Sequence, residues 1–140
     1  MPRVVLVGLA AGVALLVTDA VLNANPLAQR LYAAYGPIAR PGVNALAGSL
    51  IDLAFGLILA VLFVTLWPSL PGETGLLKGL SFGVMVWFLR VVMRVASEWV
   101  TTTVPPSAHV YSLVGGLIQI LLVTALIAAL LPRPGLSGTT

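Results

Sequence analysis

The chain has 140 residues, of which 59% are hydrophobic and only 8% charged, with a mean hydropathy of +1.09. A water-soluble domain carries about 25% charged residues, so composition excludes an ordinary soluble globule. The net charge of +3 comes from seven scattered Lys and Arg residues, which form no track for nucleic-acid phosphates.

Two more classes fall away on composition. There is no cysteine, hence no disulfide framework, thiolate metal site or thiol nucleophile. One histidine, His109, cannot build a multi-histidine metal or haem site within one chain.

The first predicted span runs from Val4 to Leu22. Arg3 followed by an apolar run also fits a signal peptide. Thr18-Asp19-Ala20 is a poor cleavage site, and the aspartate there argues instead for a retained membrane helix. Gly8 and Gly12 form a GxxxG pair, the spacing that lets two helix backbones approach closely. Asp19 lies two turns beyond Gly12 on nearly the same face.

Residues 23–41 form the longest connection. Asn25 followed by Pro26 reads as a helix start, with Asn25 as the N-cap and Pro26 in the first turn. Leu27, Leu31 and Tyr35 then share a face, with Gln29 and Arg30 turned away. This pattern predicts a short amphipathic helix over 26–35, lying in the headgroup region and stopped at Gly36-Pro37.

The second span is expected over 42–66. Asn44, Gly48, Asp52, Gly56 and Ala60 recur every four residues, a small-and-polar stripe suited to a close helix contact. Trp67-Pro68 ends it at a membrane interface.

The third span, 75–100, carries the unusual residues. Its first half has Gly75, Gly79 and Gly83 at four-residue spacing. Its second half has Arg90, Arg94 and Glu98 at the same spacing. Both sets are expected on roughly one face, which must avoid lipid. Trp87, mid-span, reads as packing rather than ligand stacking. The fourth span covers 108–131, with Gly115, Gly116 and Gln119 as inward candidates. All 10 prolines fall between or beyond the spans, as expected where a lost backbone hydrogen bond cannot be replaced from water.

The fold class that follows is all-α: one integral membrane four-helix bundle, up-down-up-down, over residues 1–140. Basic residues outside the spans divide three against two. Arg3, Lys78 and Arg133 lie on one side, Arg30 and Arg40 on the other. This favours cytoplasmic termini.

The polar residues are expected in two layers. Asp52, Arg90 and Gln119 fall near mid-membrane, and Asp19, Arg94 and Glu98 closer to the outer interface. A central charge costs about 2.5–3.5 kcal/mol on insertion scales, and arginine cannot shed its proton to escape. Arg90 is therefore expected to pair with Asp52, with Gln119 as third partner. Arg94 is expected to reach Asp19, or Glu98 one turn on.

No catalytic residue, metal site or cofactor is expected. GxSxG, GxGxxG, P-loop and HExxH patterns are all missing from the sequence. The leading expectation is a non-enzymatic interaction or assembly subunit, or a homo-oligomeric scaffold, in a bacterial inner membrane. Its partners would be the lipid bilayer and other membrane subunits or a second copy. The alternative is a small channel or proton-coupled transporter using Asp52, Arg90, Arg94 and Glu98. Lipid or pigment handling rests only on the apolar exterior and Trp87. The first two differ at one point. A dry, mutually satisfied Asp52–Arg90 pair favours the scaffold, and a cavity reaching those residues favours transport.

Overall fold

Four helices are long and apolar enough to cross a membrane: Pro2–Ala24, Ala45–Ser69, Gly75–Thr101 and Pro106–Leu130. The computed structural model describes residues 1–38, 42 and 44–131, and these contain helices and no strand. Arg40 and Arg133 lie outside the described residues.

In chain order, α1 is Pro2–Ala24, α2 is Pro26–Tyr32 and α3 is Ala45–Leu66. A 3-10 stretch, Ala33–Ile38, extends α2. The third span is α4 (Gly75–Trp87), a π-helical turn (Phe88–Val92) and α5 (Met93–Thr101) without a break. The fourth is α6, Pro106–Leu130.

Local chemistry accounts for the ends. Pro2, Pro26 and Pro106 sit in first turns, where a missing N–H costs nothing. The Asn25 side chain accepts from Ala28 N at 2.9 Å, and Asn44 accepts from Ala47 N at 3.0 Å. At the far end of α3, Lys78 Nζ donates to Trp67 O and Leu70 O, both at 2.8 Å.

Glycine decides how the helices meet. A Cβ added at Gly12 would lie 2.7 Å from Leu53 Cα, and one at Gly8 would lie 2.8 Å from Leu57 Cα. One at Gly56 would run into the backbone of Gly8 and Gly12. Helices α1 and α3 therefore touch backbone to backbone, with residue numbers rising along one as they fall along the other. Gly79 packs on Ala128 and Thr124, Gly83 on Thr124, and Gly116 under Val91, in the same opposed order. Gly75 and Gly115 lie at ordinary contact distance from Trp67 and Leu22 respectively.

Gly48 departs from its expected role. It is exposed and meets nothing within 4 Å. The inward part of its stripe is Asp52, Gly56 and Ala60. Four residues overshoot a full turn by about 40° on a helix with 3.6 residues per turn. A strict four-residue ladder therefore leaves the contact face after a few steps.

Between the seams, Leu15, Leu59, Phe63, Phe82, Ile120 and Ile127 are buried. Phe63 and Phe82 hold their ring centroids 5.6 Å apart, tying α3 to α4. Val13, Val17, Leu50, Leu89 and Leu122 face outward. An apolar exterior of this kind suits acyl chains rather than water.

Helix α2 also differs from the expected face. Its buried residue is Ala28, and Leu27 is exposed. Tyr32 ends α2 and Tyr35 lies on the 3-10 stretch, and both hydroxyls reach the long helices. Tyr32 OH lies 3.2 Å from Ser112 Oγ, and Tyr35 OH donates to Glu98 Oε2 at 2.9 Å.

Candidate functional site

A partly open cavity of about 300 Å³ lies between α1, the third span and α6, with Tyr32 of α2 on its wall. Its polar lining includes Asp19, Asn23, Arg90, Arg94, Ser112 and Gln119. These come from the half of each long helix that lies nearest α2.

The π-helical turn sets which side chains reach the cavity. Gly79, Gly83, Val91 and Val95 are all buried, at intervals that are multiples of four. Gly79, Gly83 and Val91 meet α6 directly. Trp87 follows the same interval, and its Nε1 donates to Leu113 O on α6 at 3.0 Å. An ideal α-helix would rotate this stripe away by about 40° per step. The wider turn, in which Met93 N bonds back to Phe88 O, absorbs part of that drift. Arg90 and Arg94 thus stand beside the glycine stripe and not on it. This corrects the expectation of a single shared face.

The expected Asp52–Arg90 ion pair does not form. Neither side chain takes part in an ion pair among the described residues, and Arg90 Nη1 is buried with no hydrogen-bond partner. The guanidinium instead lies 4.0 Å from the centroid of the Phe55 ring. Helix geometry supplies the reason. Side chains lean toward the N-terminus of their own helix. Helix α3 and the third span run in opposite senses, since Phe63 meets Phe82 and Phe55 meets Arg90. Groups starting at equal depth on two such helices lean apart.

The same rule brings Asp19 and Asp52 together. On opposed α1 and α3, Asp19 leans away from the end nearest α2 and Asp52 leans toward it. Asp52, only 7% exposed, has its carboxyl beside that of Asp19, with Arg90 near both. Gln119 bonds to this pair and not to Arg90. Its Nε2 donates to Asp19 Oδ1 at 2.6 Å and to Thr18 Oγ1 at 3.0 Å. Asp19 thus belongs to the deeper layer, contrary to the expected grouping.

The layer nearer the α2 end is Arg94 and Glu98. Arg94 Nη1 pairs with Glu98 Oε1 at 2.6 Å. The Arg94 side chain is 52% exposed, so this pair adds little to stability. Burial and the hydrogen bond to Glu98 push the Tyr35 hydroxyl up to about 12.

Several participants carry no motif. His109 is buried, with its ring 5.6 Å from Trp99 and both nitrogens unpartnered. Its Nδ1 lies 3.9 Å from Glu98 Oε2, too far for a hydrogen bond. Tyr111 OH donates to Leu22 O at 2.7 Å and accepts from Asn25 Nδ2 at 2.7 Å. One sequence signal does point here. Ser112, Gly115, Gly116 and Gln119 recur at three- and four-residue intervals, tracing the cavity wall along α6. Phe55 carries no such signal, being one apolar residue among many.

Among the described residues, no group of three His, Asp or Glu side chains is placed to hold a metal ion. No protein-family model matches the chain, and no curated protein or solved structure matches it either.

Proposed function

We propose that this chain is a small multi-pass transport protein whose solute or ion pathway includes the cavity beside Asp19 and Arg90. One observation carries the reading: a cavity of about 300 Å³ is lined by Asp19 and Arg90, and the buried Nη1 of that arginine has no protein partner. Charged groups inside membrane spans mark pathways or paired clasps. A clasp needs mutual satisfaction, and Asp52 and Arg90 are not bonded to each other.

The four spans are read as an up-down-up-down bundle. The contacts at the two ends support this: Arg3 Nη2 donates to Leu130 O at 2.9 Å, and Tyr111 bonds to Leu22 far from there. The distribution of Arg and Lys supports cytoplasmic termini, and the Arg-over-Lys composition supports a bacterial inner membrane.

The test is reconstitution of the full chain in liposomes, with proton, chloride and potassium gradients applied in turn. Flux of at least one above protein-free liposomes is expected. It should be abolished by Gly115→Leu, which fills the cavity from a position whose Cβ meets only Leu22, at 3.5 Å. Absence of flux, or flux unchanged in Gly115→Leu at equal thermal stability, overturns the reading.

An interaction subunit is the second reading. It is favoured by Gly48, which leaves a close-approach position open on the outer face of α3. Stable co-purification with a larger complex from native membranes, together with absent flux, would establish it.

A further inference from the structure

We propose that Asp19 and Asp52 form a carboxylic acid–carboxylate pair that binds one proton between them, a proton site beside the cavity.

Three observations converge. Asp52 is 7% exposed, its carboxyl lies beside that of Asp19, and no N–H donor among the described residues bonds to it. An oxygen–oxygen contact of this kind bonds only if one partner carries the hydrogen. Asp19 Oδ1 already accepts from Gln119 Nε2 at 2.6 Å, which leaves its other oxygen for Asp52. Arg90 lies near both carboxyls yet makes an ion pair with neither.

Every charged or titratable group facing the pair can be named. The third span contributes Arg90 and, farther out, Arg94, which is committed to Glu98 at 2.6 Å. Helix α6 contributes Tyr111 and uncharged Gln119, α1 contributes uncharged Asn23, and α2 contributes Tyr32.

The charges of the arginines and acids in the spans agree with this. Arg90 and Arg94 carry two positive charges. Asp19, Asp52 and Glu98 carry three negative charges if all ionise. One bound proton brings the set to neutrality. In hydrocarbon an uncompensated charge is disfavoured by kilocalories, and two carboxylates sharing a site cannot both ionise.

The step balances simply. A proton entering through the cavity adds to a carboxylate oxygen. The resulting O–H donates to the neighbouring carboxylate, and the same proton leaves by the same route. The pair binds its proton whether or not the cavity carries a solute.

The sequence makes a clean test possible, because Asp19 and Asp52 are its only aspartates. The full chain is reconstituted in lipid nanodiscs and its infrared spectrum recorded at neutral pH. One preparation is unlabelled and another carries aspartate with a 13C side-chain carboxyl. A protonated-carboxyl C=O band is expected that shifts with the label and with D2O. It should integrate to one of the two aspartates and vanish in both Asp19→Asn and Asp52→Asn. In either variant the surviving carboxylate stands alone near Arg90 and ionises.

Glu98→Gln is expected to leave the band intact. No label-sensitive band in the unsubstituted chain overturns the proposal, as does a band lost only in Glu98→Gln. The isotope comparison needs no substitution, so it tests the pair even where a variant fails to fold.

Discussion

Arg90 rests its guanidinium on the face of Phe55, 4.0 Å from the ring centroid, and leaves Nη1 buried without a partner. A cation over an aromatic face is stabilised by about 0.5–2 kcal/mol, more when desolvated. The stacking occupies the plane of the guanidinium and leaves its edge donors free. A double-mutant cycle with Phe55→Leu and Arg90→Gln should show a coupling in that range, read from unfolding in detergent. Strict additivity would mean that the two residues are merely neighbours.

The glycine seam predicts unequal costs for similar substitutions. Gly12→Val forces side-chain atoms into the backbone of Leu53. It should destabilise by about 1–3 kcal/mol, the usual range for overpacking. Gly48→Ala meets open space and should be neutral or stabilising by up to about 1 kcal/mol, the helix-propensity gain. Equal losses at both positions would show that α1 and α3 do not meet as described. Thermal melts of the two variants distinguish these outcomes.

Gln119 is expected to matter through Asp19. Gln119→Leu keeps the bulk but removes the donor at 2.6 Å. The half-buried carboxyl oxygen left without this donor should cost about 1–3 kcal/mol. Thr18→Val removes only one of the acceptors for Gln119 and should cost less. Both costs are read from unfolding in detergent. If Thr18→Val proves the more damaging, Gln119 is anchored by Thr18 and not by the carboxyl.

Tyr35 carries a pH dependence outside the spans. Its hydroxyl is raised from 10.0 to about 12, first by burial and then by the hydrogen bond to Glu98. The folded state thus holds this proton more tightly than the unfolded chain. The resulting stability is fully present below pH 10.0 and is lost as pH rises toward about 12. Ultraviolet titration should show the most alkaline tyrosinate step disappearing in Tyr35→Phe. Glu98→Gln should move that step to lower pH. A step untouched by either variant assigns it to another tyrosine.

Much of the layout can be read from the residues alone. A mean hydropathy of +1.09, prolines kept outside the expected spans, and Asn25 as a cap all act locally. They operate through backbone hydrogen bonds and transfer from water, which need no knowledge of neighbours. The site is legible in part. Asp19, Arg90, Arg94 and Gln119 do line one cavity, because polar groups inside hydrocarbon must converge somewhere. The pairing is not legible. Depth counted from helix ends treats a side chain as a point beside its Cα, and these side chains lean.

The amino-acid sequence by itself settled that four apolar segments become helices, and which side chains in them are too polar for lipid. Tertiary structure alone decided that Asp52 faces Asp19 while Arg90 turns to Phe55. That choice depends on the sense in which adjoining helices run and on the π-helical turn at Phe88–Val92, which sets the arginines beside the glycine stripe. Both are properties of packed helices, absent from any single segment, because the tilt of a side chain gains a partner only when another helix stands opposite it.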